Sequence, residues 1–224
     1  MARVSSNYRC TECGWTSVKW VGRCGECQSW GTVIDNAENA VSARAVVPVR
    51  VSAARAAKPI TDIGVDEVTH WPSGIAEFDR VLGGGIVAGA AILLSGEPGV
   101  GKSTLLLEVA SRAASNGMRV LYVSAEESVN QVRMRAARTG ALQPLLYLAA
   151  EVDLAVILGQ IDEVKPQLVI VDSVQTVSSS LIDGLAGGPS QVREVASTLI
   201  RVSKDRNLPV LLVGHVTKDG TIAG

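Results

Sequence analysis

Gly96-Glu97-Pro98-Gly99-Val100-Gly101-Lys102-Ser103-Thr104 fits the pattern G-x-x-x-x-G-K-[ST] at every fixed position. The flanks suit it. Residues 91–95 (AILLS) are an apolar run of strand length, and residues 102–116 place Leu105, Leu106, Val109 and Ala113 on one helical face. A strand, a glycine-rich turn and a helix start therefore follow one another. The glycines let successive backbone N–H groups converge on one anion, and the helix end adds partial positive charge. In such a cradle Gly96, Glu97, Pro98, Gly99, Val100 and Gly101 wrap the phosphates. Lys102 reaches the β- and γ-phosphates, the Ser103 hydroxyl ligates Mg2+, and Thr104 bonds a neighbouring phosphate.

Downstream, strand-like and helical patterns alternate. Strands are expected at 120–124 (VLYVS), 145–148, 168–172 (LVIVD) and 210–214 (VLLVG), and helices at 129–138, 153–164 and 190–206. In the last helix Val192, Val195, Leu199 and Val202 share one face. Buried strands alternating with amphipathic helices make a parallel sheet covered on both sides. The expected fold class is α/β, a P-loop NTPase core with a mostly parallel central sheet. No internal repeat is present.

The strand at 168–172 ends in Asp172, placed to hold Mg2+ through water. Ser173 follows, where many P-loop ATPases carry the catalytic Glu, so the water-activating carboxylate must come from elsewhere. Glu126 and Glu127 lie just past the second strand, at the sheet end that faces a nucleotide. Either can be the base. Alternatively both are solvated acids capping the helix that begins near Ser128. Guanine selection by an N/T-K-x-D motif fails, because Thr217-Lys218-Asp219 is followed by Gly220 where Asp is needed. ATP is the expected nucleotide. A P-loop kinase would add an acceptor site or an Arg-rich lid, and neither is recognisable.

At the other end of the chain all four cysteines fall in one cluster, Cys10, Cys13, Cys24 and Cys27, spaced C-x2-C-x10-C-x2-C. Two close thiolate pairs supply the S4 shell that Zn2+ prefers, and four Cys leave no open position for catalysis. Two disulfides or four inert thiols are the alternatives. Gly14 follows the first pair, where a left-handed turn is wanted, and Gln28 takes that place after the second at some strain. Trp15, Trp20 and Trp30 surround the ligands. Packing on the small core is one role for them and base stacking another. Residues 1–35 thus form a zinc finger. Residues 36–60 lack aromatics and carry a net charge of +3, which marks a flexible basic linker, either bland or DNA-contacting. The ATPase domain takes 61–224.

Composition narrows the classes. Charged residues are 19% and hydrophobic ones 47%, which excludes a disordered chain. The net charge of −1 offers no global basic field for nucleic acid. No apolar run reaches the roughly 18 residues of a membrane span, and residues 1–8 lack a signal-peptide core. A cytoplasmic address with no membrane partner is expected.

Several of these segments together resemble the RadA/Sms family. They are the four-Cys module, Gly83-Gly84-Gly85-Ile86, the glycine-rich loop at 96–104, Tyr122-Val123-Ser124-Ala125-Glu126-Glu127-Ser128, Val171-Asp172-Ser173 and Gly214-His215-Val216-Thr217-Lys218. The family consists of bacterial RecA-like DNA recombination and repair ATPases. The resemblance implies a RecA-like core, a C4 zinc ribbon and an ATP-driven motor on single-stranded DNA that promotes branch migration of recombination intermediates. It further implies a homo-hexameric full-length form, with the RecA recombinase or a replicative helicase as partners. By the family's pattern Glu126 outranks Glu127 as base, and His215 takes the place of a γ-phosphate sensor, unless it is a satisfied structural histidine. Residues 175–190, with Gly184, Gly187 and Gly188, and the segment from Thr217 correspond to DNA-contacting loops. Minor departures are Gln28 and Ala88. The family's Lys-Asn-Arg-Phe-Gly motif and Lon-like domain are not in this sequence. The core is therefore expected to be incomplete at its carboxy-terminal end, as in a fragment. Loss of a trans-acting Arg typically costs about 10³–10⁵ in rate. A second expectation is thus an ATP- and zinc-binding module that contacts DNA or a helicase without appreciable turnover.

Overall fold

A computed structural model of the chain describes residues 8–35, 50–53, 56–62 and 70–215. The chain divides into two compact units, Met1–Gly64 and Val65–Gly224. Most of the expected linker and the whole segment from Thr217 lie outside the described residues.

In the first unit β1 (Tyr8–Cys10) pairs antiparallel with β2 (Thr16–Ser17) and β3 (Val33–Asp35), in the order β2-β1-β3. Its core is small: Cys10, Cys24 and Val33 are buried, with Tyr8, Trp15 and Val21 against them. Packing by all three tryptophans is not what the fold gives. Trp15 lies against Gly25, where a Cβ would fall 2.8 Å from the indole. Trp20 and Trp30 are 63% and 75% exposed, because a core built round four sulfurs has no room for them. Trp20 instead donates Nε1–H to the Val33 carbonyl at 3.2 Å, and the Arg23 guanidinium sits 5.9 Å over the Trp30 ring.

The second unit opens with elements that the sequence pattern did not announce. β4 (His70–Trp71) pairs antiparallel with β5 (Ile86–Val87), and α1 (Ala76–Val81) lies between them in the chain. They are too short to show a period. Gly85 makes the pairing feasible: at φ +137° a Cβ there would sit 2.5 Å from the Trp71 carbonyl oxygen.

Five parallel strands follow: β6 (Ala91–Gly96), β7 (Val120–Ser124), β8 (Leu146–Ala150), β9 (Leu168–Asp172) and β10 (Val210–His215). Four helices connect them: α2 (Lys102–Ser115), α3 (Val129–Thr139), α4 (Leu154–Val164) and α5 (Pro189–Asp205). Alternate strand residues sort to opposite faces. Val120, Tyr122, Leu168, Ile170, Leu211 and Val213 join Leu106 and Val109 of α2 and Val132 of α3. Leu121, Val123, Val169, Val171, Val210 and Leu212 join Ile157 of α4 and Leu199 of α5. This is the α/β RecA-like core, and its strands read as continuous apolar runs because both faces are covered.

Strand order is β6-β10-β9-β7-β8. β10 thus separates the strand before the glycine-rich loop from the strand that ends in Asp172. Register aligns His215 with Gly96 and Ser124 with Asp172. The carboxyl ends of β6, β10, β9 and β7 therefore deliver Gly96, His215, Asp172 and Ser124 to one edge of the sheet. Among the described residues no helix is long and apolar enough to cross a membrane.

Candidate nucleotide site and zinc centre

The glycine-rich loop closes on itself. Lys102 is buried, and its ammonium donates to the carbonyls of Gly96 and Glu97, each at 2.8 Å. α2 starts from Gly101 in the left-handed conformation (φ +94°), with no side-chain cap. The first N–H groups of a helix have no partner within it. Here no side chain caps them, an arrangement open to an anion. Ser103 and Thr104 occupy the opening turn. A cleft of about 290 Å³ lies over this turn, lined by Pro98, Gly99, Lys102, Ser103, Glu126, Glu127, Arg135 and His215 among others.

Asp172 is buried at the end of β9 and accepts a 2.7 Å hydrogen bond at Oδ2 from the hydroxyl of Tyr122. That tyrosine, 1% exposed, has its pKa pushed far up, first by burial and then by the Asp172 charge, so it stays a donor. One carboxylate oxygen of Asp172 is thereby oriented.

Glu126 and Glu127 have different partners. Glu126 Oε1 accepts from the Ser173 hydroxyl and lies 2.9 Å from His215 Nε2. Burial pushes its pKa up, but hydrogen bonds from Ser173 and His215, with the charges of His215 and Lys102, outweigh this and leave it lowered. It is ionised and at the cleft. Glu127 instead pairs with Arg135, and its N–H bonds the Ser124 hydroxyl at 3.0 Å. Neither acid caps α3. Ser128 and Gln131 do that through a reciprocal capping box. His215 Nδ1 is buried without a hydrogen-bond partner among the described residues.

The loop at 175–190 is braced. Gln191, buried at the start of α5, accepts from the Ser179 N–H at 2.8 Å and donates to the carbonyls of Ser179 and Ile182 at 3.1 and 2.9 Å. Leu181 and Leu185 project beyond it, exposed, and Asp183 is the loop's only charged residue.

The four cysteine sulfurs lie within 4.8 Å of one another. Cys10–Cys27 is 3.7 Å and Cys13–Cys24 is 3.5 Å. A disulfide would need about 2.05 Å. A tetrahedron with Zn–S near 2.3 Å has edges of about 3.8 Å, so the sulfurs fit zinc without rearrangement. The Thr32 hydroxyl and the Cys13 N–H lower the Cys10 thiol to about 6, and Ser29 lowers Cys27. Cys13, although held down by the Trp15 N–H, is raised to about 11 by burial and its neighbouring sulfurs. Both knuckles turn left-handed, Gly14 at φ +79° and Gln28 at φ +62°. Gln28 is clamped there by Arg23, which donates to its carbonyl at 3.0 Å and its side-chain oxygen at 2.7 Å.

A family model described as an AAA domain matches residues 65–221, and one described as a rubredoxin metal binding domain matches residues 8–35. The DNA repair protein RadA of Mycolicibacterium smegmatis is 52% identical over 234 residues, taking in 100% of this chain and 49% of its own length. RadA of Mycobacterium tuberculosis strain H37Rv is 52% identical over 230 residues, and RadA of Bacillus subtilis 42% over 226, again across 100% of this chain. The chain belongs to the RadA family of AAA-domain proteins. It spans about half the length of the curated relatives it matches.

Within this RadA-family chain the fold gathers Lys102, Ser103, Glu126 and His215 around one cleft, with Asp172 on the adjoining strand end. Sequence reading gave no role to three residues that complete the constellation. Ser173 reads only as a position where a Glu is missing. Tyr122 reads as one more apolar strand residue. Arg135 is one of three arginines in a basic helix, and nothing in its spacing singles it out.

Proposed function

We propose that this chain is the nucleotide- and zinc-binding part of a DNA-dependent ATPase in recombinational DNA repair. ATP is the substrate, single-stranded DNA the activator, and branch migration of recombination intermediates the work done. The observation that carries the reading is Glu126: an ionised carboxylate held by Ser173 and His215 on the wall of a cleft floored by the glycine-rich loop. The relatives' name supplies the DNA-repair context. The homo-hexameric full-length form, a cytoplasmic address, and contact with the RecA recombinase or a replicative helicase follow from the family alone.

The residues divide the work. Backbone N–H groups along residues 96–104, Pro98 excepted, enclose the phosphates, and Lys102 turns its ammonium from the carbonyls of Gly96 and Glu97 to the β- and γ-phosphates. Ser103 and Asp172 would hold Mg2+, which neutralises charge developing on the phosphate oxygens. Glu126 orients a water and takes its proton as the water oxygen bonds the γ-phosphorus, while the bond from that phosphorus to the β–γ bridging oxygen breaks and ADP leaves. His215, bonded to the same carboxylate, sits where a lost γ-phosphate would be felt first. Residues 1–35 form the zinc finger, 36–60 the linker and 61–224 the ATPase domain.

Steady-state ATP hydrolysis, with and without single-stranded DNA and with Lys102→Ala as blank, tests the reading. DNA-stimulated turnover above the blank is expected. Tight ATP binding without turnover would instead support a binding module, and equal hydrolysis by Lys102→Ala would overturn the site.

A further inference from the structure

One charged pair on the wall of the cleft has no task in the scheme above. α3 carries three arginines. Arg133 and Arg138 are exposed, whereas Arg135 is half-buried and lines the cleft beside Gly99, Lys102, Ser103 and Thr104. Its Nη2 pairs with Glu127 Oε1. The second carboxylate oxygen, Glu127 Oε2, is buried and has no hydrogen-bond partner among the described residues. The pair is thus engaged through one oxygen and one nitrogen, not through the bidentate fork that makes an Arg–carboxylate tie strong. The two side chains keep 20% and 33% of their exposure, so a further charge joining them would offset the cost of their partial desolvation.

Geometry fixes where that charge would sit. The capping box at Ser128 and the left-handed Gly140 pin both ends of α3, so Arg135 is carried by a rigid element. The cleft is small, about 290 Å³ against roughly 300–1,000 Å³ for ligand clefts generally. A cation on its wall therefore faces whatever fills it. A guanidinium presents five N–H donors in a plane that matches phosphate oxygens, and one carboxylate contact leaves most of that fork to a ligand.

We propose that Arg135 contacts the terminal phosphate of the bound nucleoside triphosphate from within the same chain, and that Glu127 is its positioning residue. Glu127 holds the guanidinium at the wall of the cleft, and this occupation is why it does not compete with Glu126 as base. The inference rests on the nucleotide reading of the cleft.

The test is equilibrium titration of the whole chain, in Mg2+, with a non-hydrolysable ATP analogue and with ADP. Arg135→Ala should lower the preference for the triphosphate by about tenfold or more while ADP affinity moves little, as expected for one charge-assisted contact. Arg135→Lys should recover part of it, because a point charge replaces the fork. Glu127→Gln should shift the same ratio by a few-fold. Thermal melting followed by circular dichroism checks folding, and Arg135→Gln stands in if the alanine variant does not fold. An unchanged ratio in Arg135→Ala, an equal loss for both nucleotides, or no triphosphate preference in the unsubstituted chain would each overturn the proposal. If Lys102→Ala bound both nucleotides normally, the nucleotide reading itself would fail, which is a separate outcome.

Discussion

The two units solve the same problem with different forces. Among the described residues the cysteine unit buries Cys10, Cys24 and Val33 and little else, and leaves two indoles in water. The cysteine module at residues 8–35 falls below the roughly 40 residues that fold on apolar burial alone, a size at which a metal supplies the missing stability. The larger unit buries both faces of five strands under four helices, and its stability is that of a hydrophobic core. In the first, polar thiols do the structural work. In the second, the buried polar groups fall into two sets: Lys102, Asp172 and Ser173 at the candidate nucleotide site, and others such as Gln191, Thr198 and Ser203 within the scaffold. Buried polarity therefore serves the scaffold in the first unit, and both the scaffold and the candidate site in the second.

Zinc removal should break that comparison most visibly. Structural zinc contributes about 10–16 kcal/mol in finger peptides. A chelator should abolish the fold of residues 8–35 and leave the far-UV transition of the α/β core in place. Three of the four tryptophans, Trp15, Trp20 and Trp30, report the cysteine unit by fluorescence. A reduced protein should hold one Zn2+ per chain. A core that melts with the chelated unit would end the idea of two separate stabilising forces.

Glu126→Gln should lower hydrolysis by about 10²–10⁴ and keep ATP binding. Glu127→Gln should cost less, and an equal loss from it would exchange their roles. Leu106→Ala, which empties a fully buried site between α2 and the sheet, should cost about 2–5 kcal/mol in denaturant unfolding. Zinc affinity should not move with it. The smallest effect belongs to Gly14→Ala. A side chain forced to φ +79° costs about 1 kcal/mol and should weaken zinc binding about fivefold without touching the core.

How much of this was legible depends on how local each feature is. The helix at 102–116 ends one residue earlier, at Ser115, and the strand at 145–148 shifts to Leu146–Ala150. These are differences of fraying ends. α1 and the β4–β5 pair were not legible, because elements of six and two residues carry no period and depend on Gly85 admitting a close backbone approach. The exposure of Trp20 and Trp30 was not legible either, since apolar composition does not say how large a core is.

The sequence by itself determined the glycine-rich loop, the apolar strand runs and the four-sulfur cluster. Each is written in neighbouring residues whose spacing is fixed by backbone geometry. Tertiary structure alone decided that two adjacent glutamates, both lining the cleft, have different partners. Glu126 is held by Ser173, 47 residues away, and by His215, 89 residues away, whereas Glu127 pairs with Arg135. Those partners meet because β10 inserts between β6 and β9, a strand order that long-range pairing sets and no local pattern encodes.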